Sequence, residues 1–468
     1  MDQTLLKNRT FDELQIGDSA SLVRIVGRDD IELFAAASGD VNPAHLDATF
    51  AATDLFGHIV AHGMWTGALI SAVLGTQLPG PGTIYLGQDF RFLKPVSPGD
   101  TVTATVRVKE KKPEKRIVLL ETVCSNQRGD SVLTGTATVI APDKTIAWPR
   151  AHLPDVAIQR HDRYDAFIKE ARALPPIPAA IVHPCSPEAI AAAVEIRDEG
   201  LFAPLLIGPE GKIRAAAEAA QVDIAGMAIE AVPHSHAAAA RAVELAVAGK
   251  VSALMKGSLH TDELLEAVVA PGSGLRTERR ISHVYGMDVP AYSKPLIVTD
   301  AAINIQPTLA HKRDICQNAI DLMHVLGIAE PRVAVLAAVE TINPAMPATL
   351  DAAALTLMAA RGQITGAKVD GPLAFDNAIS LDAAKTKGIV SQVAGQADIL
   401  VVPDLEAGNM LAKQLIYFAG ATAAGLVLGA RVPIVLTSRA DPLTVRIASA
   451  ALARLAVARK SLAGKMPA

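Results

Sequence analysis

Aromatic side chains are scarce in this 468-residue chain: they make up 4% of the residues, although half of the residues are hydrophobic. The hydrophobic cores must therefore be built from Ala, Val, Leu and Ile, as in Ala-rich helices that pack on aliphatic strands. The chain is too long for one ordinary core, so two or three domains are expected. The composition favours an α/β architecture.

Cysteine is nearly absent as well. Cys124, Cys185 and Cys316 are scattered without any C-x-x-C spacing, which disfavours both a disulfide framework and a zinc site. Lys and Arg (44) nearly balance Asp and Glu (48), so no nucleic-acid or acidic-membrane partner is expected. The first residues contain no apolar signal core, and no apolar run reaches the length of a membrane span. The sequence therefore predicts a cytoplasmic protein.

A carboxylate and an imidazole lie five residues apart in residues 34–45, Phe-Ala-Ala-Ala-Ser-Gly-Asp-Val-Asn-Pro-Ala-His. The Gly-Asp-x-Asn-Pro segment predicts a turn, which can direct Asp40 and His45 into one pocket. A carboxylate that orients a histidine is an acid/base unit that works near neutral pH. The structural alternative is that Asp40 caps a helix and His45 is an ordinary surface residue.

A longer pattern surrounds this pair. It includes Ala51, the triplet His62-Gly63-Met64, and residues 78–88 and 91–96. Over about residues 10–142 the chain resembles the MaoC-like, R-specific enoyl-CoA hydratases. One position departs from that pattern, because Ala44 stands where the family usually has a larger aliphatic residue.

This resemblance implies an α+β hot-dog fold, in which a sheet wraps one central helix and two subunits pair to build the acyl-CoA tunnel. A homodimer or higher homo-oligomer is therefore expected. By the same resemblance, Asp40 and His45 activate the water that adds across a 2-enoyl thioester. Backbone N–H groups near Gly63 are the expected donors to the thioester oxygen, and Ser71 is expected to help hold the water.

The predicted elements divide the chain into domains. A helix over 63–78 and strands over 83–92, 101–109, 116–125 and 131–140 describe a first domain, residues 1–142. Residues 143–160 contain Pro-punctuated segments and are predicted to be a linker. In the second domain, residues 161–468, short aliphatic runs alternate with helical segments, which predicts βαβ units and a largely parallel sheet.

Ligands of open α/β sheets bind at the carboxyl ends of the strands. Seven strands are predicted in the second domain, at 179–183, 204–208, 252–256, 295–299, 332–339, 399–403 and 432–437. The residues that follow them include Lys256-Gly257-Ser258, Thr299-Asp300, Glu340, Asp404 and Ser438 to Asp441. The sequence therefore predicts that these side chains collect at one edge of the sheet.

Several segments of this half resemble the phosphate acetyl/butyryltransferases. They are residues 255–257, 280–284, 369–378, 394–400, 408–413 and 433–441. The likeness runs from about residue 160 to 460 and, judged by the ending Leu436 to Asp441, is closer to the butyryl branch. It implies two α/β subdomains around a cleft that takes CoA, and acyl transfer from the CoA sulfur to phosphate. Acyl-CoA, CoA and phosphate are the expected partners, with no metal or other cofactor.

By motif match, Ser438 and Arg439 would position phosphate or the thioester, since a guanidinium fork suits phosphate oxygens. The weaker candidates for anion contacts are Lys256, Arg276, Asn409 and Lys413. The acetyl branch places an acidic residue several positions after the Ser-Arg pair, and here that stretch, 443–446, reads Leu-Thr-Val-Arg. Asp441 is the nearest carboxylate and the candidate base, or else it caps the helix that Pro442 begins.

The sequence thus predicts an enoyl-CoA hydratase-like domain fused to a phosphate acyltransferase domain. Two alternatives stay open. The second domain could be a regulatory sensor of CoA thioesters, and the hot-dog domain could serve mainly as a dimerisation scaffold.

Overall fold

The structure, a computed structural model, describes residues 5–151, 156, 158, 162–436 and 441–463. The chain splits into two compact units, Met1–Ile158 and Gln159–Ala468. The predicted linker includes residues 152–155, 157, 159 and 160, which lie outside the described part. No helix of the described ranges is both long and apolar enough to cross a membrane.

The N-terminal unit is built mainly from antiparallel strands. Its elements are β1 (Leu5–Lys7), β2 (Ser19–Ile25), α1 (Arg28–Ser38), α2 (Pro43–Leu46), α3 (Ala48–Ala51), α4 (Gly63–Thr76), β3 (Ile84–Phe92), β4 (Thr101–Lys112), a 3₁₀ turn (Glu114–Arg116), β5 (Ile117–Ser125), β6 (Ser131–Ile140) and β7 (Ala147–Pro149). In the described residues, β1 pairs with β7, and the other five strands form an antiparallel sheet in the order β2-β4-β5-β6-β3.

The core of this unit lies between the sheet and α4. Alternate residues of β4, from Val102 to Val108, are buried, as the side-chain period of a strand requires. Trp65, Ile70 and Val73 of α4 pack into the same cluster. A central helix against a long antiparallel sheet is the α+β hot-dog architecture that the sequence predicts, and this prediction is confirmed.

Strand β3 forms one edge of the five-stranded sheet and carries large apolar side chains in the open. Ile84 is 55% exposed, Leu86 51% and Phe92 53%. Leu93 follows the strand and is equally exposed. A long apolar edge strand offers unpaired backbone groups to another chain, so this edge is suited to contact with a second copy.

The C-terminal unit alternates helices and strands. Its elements are α5 (Asp162–Arg172), β8 (Ile177–Val182), α6 (Pro187–Asp198), β9 (Phe202–Gly208), α7 (Glu210–Ala220), β10 (Ala228–Ala231), α8 (Ser235–Val247), β11 (Ala253–Lys256), α9 (Thr261–Val269), β12 (Ser282–Asp288), β13 (Leu296–Thr299), α10 (Leu309–Val325), β14 (Arg332–Leu336), α11 (Pro347–Ala360), β15 (Lys368–Leu373), α12 (Phe375–Ile379), α13 (Leu381–Thr386), β16 (Ile399–Val401), α14 (Leu405–Tyr417), β17 (Thr422–Leu428), β18 (Ile434–Val435) and α15 (Leu443–Ala463).

Among the described residues, eleven strands of this unit form one sheet in the order β10-β9-β8-β11-β18-β17-β12-β13-β16-β14-β15. The five strands from β10 to β18 are parallel to one another, and so are the four from β13 to β15. Between these two α/β halves, β17 is antiparallel to both β18 and β12, and β12 is antiparallel to β13. The two halves therefore run in opposite directions, and the α/β fold class is confirmed.

This reversal corrects the expectation that all the strand ends share one edge. Lys256 ends β11 at the edge where β8, β9, β10 and β18 also end, here called the Lys256 edge. Asp300, Glu340 and Asp404 follow β13, β14 and β16, which end at the opposite edge, here called the Asp300 edge. Strands β12 and β17, which are not among the seven predicted strands, cause the reversal, because each runs antiparallel to its neighbours.

Candidate active sites

The turn that carries Asp40 is fixed by its neighbours. Gly39 ends α1 in the left-handed conformation, with φ of 78°, and its N–H donates to the carbonyl of Ala35. The Asn42 side chain caps α2 by accepting from the N–H of Ala44 at 3.1 Å, and Pro43 takes the first helical position. The Asp40 carboxylate accepts from the N–H of Asn42 at 3.3 Å. Gly39 is thus the C-terminal cap of α1, and Asn42 is the N-terminal cap of α2. Asp40 is the cap of neither helix, contrary to the alternative in which it serves only as a helix cap.

His45 is half-buried and its ring is held from one side. Its Nδ1 lies 2.7 Å from the carbonyl oxygen of Val60. Since a carbonyl oxygen only accepts, Nδ1 carries the proton of the neutral ring and Nε2 holds the lone pair. One polar atom each of Asp40, His45 and His62 lies within 4.8 Å of the other two. The structure thus brings the predicted pair together and adds His62, which is 2% exposed.

Two histidines and a carboxylate at this spacing raise the question of a metal ion. The His45 and His62 ring centroids are 3.9 Å apart and the ring planes meet at 35°. The lone pairs of imidazole lie in the ring plane, so two stacked rings do not direct them at a common point. The tetrahedral or octahedral ligand sets of protein metal sites require such convergence, so the arrangement suits a stacked pair better than a metal centre.

The first residue of α4, Gly63, lies at the same cavity as His45. That cavity is about 270 Å³ and is also lined by Phe56, Thr66 and Phe92. The first N–H groups of a helix lack partners within the helix, so those near Gly63 can donate to an oxygen in the cavity. A Cβ atom at Gly63 would lie 2.9 Å from the Phe92 ring. Glycine therefore leaves room for the ring beside the helix N-terminus.

Ser71 lines a different cavity. This second cavity is about 450 Å³, and its walls include Phe34, Met64, Tyr85 and Phe90. Ser71 follows Gly63 by eight residues, which is about 12 Å along a helix. Within the described unit, Ser71 is therefore apart from the His45 cavity, and its role in holding water stays a prediction.

In the C-terminal unit, Ser438 and Arg439 lie outside the described residues. Lys256 ends β11, is buried, and donates to the carbonyl of Leu259 at 3.3 Å. Asp441 is half-buried, and α15 begins two residues later. Burial raises the pKa of Tyr285 to about 12, and the charge of Asp441 acts in the same direction. Lys256 thus ends a strand at the Lys256 edge, and Asp441 lies in the chain between β18, which ends at the same edge, and the start of α15.

The other three predicted anion contacts lie elsewhere. Arg276 is exposed and forms a bridge with Ala430, just beyond the carboxyl end of β17 and thus at the Asp300 edge. Asn409 and Lys413 are in α14, which begins at that same edge. Asn409 donates to the carbonyl of Ala301 at 3.3 Å, and Lys413 is exposed. The register places Arg276 and Lys256 about five residues apart along the strands, or roughly 17 Å.

The segments that follow β8 and β11 contact each other closely at the Lys256 edge. The Gly257 N–H donates to the carbonyl of Val182, and Ser258 donates both its N–H and its hydroxyl to the carbonyl of His183. The Ser258 hydroxyl oxygen also accepts from the N–H of Cys185 at 3.0 Å. The chain reverses its direction of travel between β8 and β11, which is the switch point where open α/β sheets bind ligands. Ser258 belongs to the Lys256-Gly257-Ser258 segment that the sequence predicts at a strand end, whereas His183 is there without having been singled out as a site residue.

Gly257→Ala is expected to destabilise the C-terminal unit by about 1–3 kcal/mol, the usual cost of overpacking. The new Cβ would lie 2.5 Å from the Val182 oxygen and 2.7 Å from the His183 oxygen, and backbone atoms cannot rotate away. Urea unfolding measures the effect. Gly211→Ala is the matched control, because that glycine is helical and open, and it should not lower stability. An equal result for both variants would contradict the close approach.

Comparison with known proteins gives two separate likenesses. Residues 234–454 match the family model "Phosphate acetyl/butaryl transferase". The phosphate acetyltransferase of Rhizobium meliloti is 58% identical over 301 residues, 64% of this chain and 95% of the relative. A branched-chain phosphotransacylase structure from Enterococcus faecalis V583 is 31% identical, with a TM-score of 0.54, and covers 60% of this chain and 99% of its own.

The N-terminal unit matches a second family. Residues 11–127 match the model "MaoC like domain". The R-hydratase PhaJ1 from Pseudomonas aeruginosa is 44% identical and covers 33% of this chain and 99% of its own, with a TM-score of 0.32.

The chain therefore joins two domain classes, a hot-dog domain of MaoC type and an α/β domain of phosphotransacylase type. It belongs to the phosphate acetyl/butyryltransferase family and carries a MaoC-like domain before the family's own domain. The expectation that the butyryl branch is nearer is corrected by the identities. The probable phosphate butyryltransferase of Bacillus subtilis (strain 168) is 52% identical over 200 residues, 43% of this chain and 67% of the relative, against 58% for the Rhizobium acetyltransferase.

Proposed function

We propose that the C-terminal unit transfers acyl groups between CoA and inorganic phosphate. The observation that carries this is the 58% identity with a phosphate acetyltransferase along nearly its whole length. In the transfer, a phosphate oxygen attacks the thioester carbon, the carbon–sulfur bond breaks, and the CoA thiolate takes a proton. Positive groups are needed where the carbonyl oxygen gains charge, and Arg439 and the buried Lys256 are the candidates. The identity favours an acetyl donor over a butyryl donor.

Phosphate-dependent release of CoA from acetyl-CoA and butyryl-CoA tests this proposal. The product is trapped as a hydroxamate, so that acyl phosphate is distinguished from simple hydrolysis. Turnover with acetyl-CoA that needs phosphate is the expected result. Tight binding of the CoA ester without any acyl phosphate would support the alternative of a regulatory sensor.

For the N-terminal unit we propose R-specific hydration of 2-enoyl-CoA. The proximity of the Asp40 carboxylate to His45, beside the open N-terminus of α4, carries this proposal. Water gives its oxygen to C3 of the enoyl group and a proton reaches C2, so the pair must take one proton and deliver one. Donors near Gly63 stabilise the charge that develops on the thioester oxygen. The reaction as written requires no metal ion.

Loss of the enoyl absorbance of crotonyl-CoA measures hydration, and chiral analysis of the 3-hydroxybutyryl product gives its handedness. The R product is expected. A protein that assembles normally and transfers acyl groups, but hydrates nothing, would instead support the scaffold alternative for the hot-dog domain.

We expect the protein to be a homodimer or a larger assembly of dimers. The exposed apolar edge strand β3, with Ile84, Leu86 and Phe92, supports this, because such an edge can pair with another chain and two-fold dimers are the commonest homo-oligomers. Leu86→Lys should weaken the assembly, because each copy would then bring a charge into the apolar edge. Sedimentation of the parent and variant over a range of concentrations measures the change. A parent protein that is monomeric at micromolar concentration would contradict the proposal.

A further inference from the structure

His62 lies between the two parts of the proposed hydratase site. Its Nε2 is 3.0 Å from the backbone carbonyl oxygen of Asp40. The same residue is the N-cap of α4, directly before Gly63. One buried side chain therefore connects the turn that carries the carboxylate to the helix end that offers N–H donors.

The His62 ring also fixes its neighbours by contact. It stacks on His45 at 3.9 Å and packs against Phe34 at 5.1 Å. His45 is held on its edge by the carbonyl of Val60 and on its face by His62. With both contacts in place, the His45 ring has little freedom to rotate away from Asp40.

The hydrogen bonds give the two stacked histidines opposite tautomers. The carbonyl of Asp40 can only accept, so His62 carries its proton on Nε2. Its Nδ1 is buried and has no hydrogen-bond partner in the described part of the chain, so it keeps a lone pair. His45 carries its proton on Nδ1 instead. His62 therefore donates its proton to the backbone carbonyl of Asp40 and not to the Asp40 carboxylate or the His45 ring.

We propose that His62 is a positioning residue, which keeps Asp40, His45 and the Gly63 donors in register without touching the substrate. This inference rests on the proposed hydration. A displacement of a reacting group by about 1 Å can cost on the order of a hundredfold in rate. Loss of His62 should therefore act on the chemical step and leave substrate binding nearly unchanged.

Two variants separate the two contacts. His62→Phe keeps a ring against His45 but loses the donor to Asp40, and His62→Gln keeps an amide donor but loses the ring. Each is expected to lower kcat for crotonyl-CoA by roughly ten- to a hundredfold, with KM within about threefold of the parent. His58→Phe is the control, because His58 is an exposed histidine in the same segment that contacts Ser97, and it should hydrate at the parent rate.

The tautomers provide a readout that does not depend on activity. In ¹⁵N-histidine spectra of the full chain, His45 should be protonated on Nδ1 and His62 on Nε2. The His45 signals should shift in His62→Phe and His62→Gln but not in His58→Phe. These spectra test the arrangement of the two histidines even if the parent protein fails to hydrate crotonyl-CoA. That failure would contradict the proposed hydration and not the arrangement.

Three results would overturn the inference. A folded His62→Phe and His62→Gln pair that both hydrate at the parent rate would show that neither contact positions the site. A rise in KM at constant kcat would mean that His62 contributes uniform substrate binding. Equal tautomers for the two histidines would contradict the hydrogen bonds on which the inference depends.

Discussion

Asp40→Asn and His45→Gln are each expected to slow hydration of crotonyl-CoA by at least about a hundredfold, the scale of lost general acid/base catalysis. Asn keeps the size of the side chain but cannot take a proton, and Gln can no longer exchange one near neutral pH. The two side chains lie together beside the cavity that reaches Gly63. Initial rates from enoyl absorbance measure the loss, while acyl transfer to phosphate by the other unit should persist.

Asp47→Asn is the matched control for this prediction. Asp47 caps α3 by accepting from the N–H groups of Thr49 and Phe50, two residues after His45. Asn caps helices about as well as Asp, so this variant should hydrate normally. Near-parent hydration by Asp40→Asn or His45→Gln would remove that residue from the acid/base role.

The second large effect is expected at Arg439. Arg439→Lys keeps the charge but loses the planar fork that bonds two phosphate oxygens. Hydrogen bonds to charged groups are worth roughly 1.5–3 kcal/mol, so transfer should fall by about ten- to a hundredfold. Arg439→Ala should cost more. Phosphate-dependent release of CoA measures both, and hydration should be unchanged.

Arg431→Lys provides the comparison on the same part of the chain. Arg431 is exposed just before β18, at the Asp300 edge, and its N–H donates to the carbonyl of Leu275. That backbone contact survives the substitution, so transfer should stay at the parent rate. If Arg439→Lys also transfers normally, bidentate recognition is wrong, and if Arg439→Ala does so too, the Lys256 loop is the next place to look.

The N-terminal fold could be predicted closely because its signals are local. The predicted strands 116–125 and 131–140 agree with β5 and β6 within a residue, since alternating apolar residues and Gly-Asp turns specify a meander directly. The helix over 63–78 was predicted two residues longer than α4. In this unit, the alternation of apolar residues along a strand directly predicts which side chains are buried in the core.

The C-terminal unit was harder because four of its strands lack a clear strand pattern. Strand β17 reads Thr-Ala-Ala-Gly-Leu-Val-Leu and β12 reads Ser-His-Val-Tyr-Gly-Met-Asp. Ala and Gly are depleted in strands, and so is Asp, so a pattern search overlooks such segments. Missing them hid the reversal of the sheet, and a single shared edge was then the natural but wrong expectation.

In the candidate sites, too, contacts within a short segment could be predicted from the sequence, and contacts between distant segments could not. The Gly-Asp-x-Asn-Pro turn places Asp40 and His45 within one short segment, so their proximity follows from sequence. His62 contacts Asp40 across 22 residues and His45 from further along the chain than the turn extends. No spacing rule predicts these contacts, although the His-Gly-Met triplet marked the position. Arg276 fails to join Lys256 because its place depends on the direction of β17, which is a property of the whole sheet.

The reversed sheet also bears on the electric field of the C-terminal unit. In a uniformly parallel α/β domain the helices all point the same way and their dipoles add. Here α6, α7, α8, α9 and α15 begin at the Lys256 edge, whereas α10, α11, α12 and α14 begin at the Asp300 edge, so the dipoles of the two sets point in opposite directions. Because the effect of a helix dipole falls off within the terminal turn, an anion such as phosphate or CoA meets helix N-termini at either edge, and the dipoles alone do not select one. Individual positive side chains must then determine which edge binds the anion. In the described residues, the buried Lys256 is such a side chain at the end of a strand.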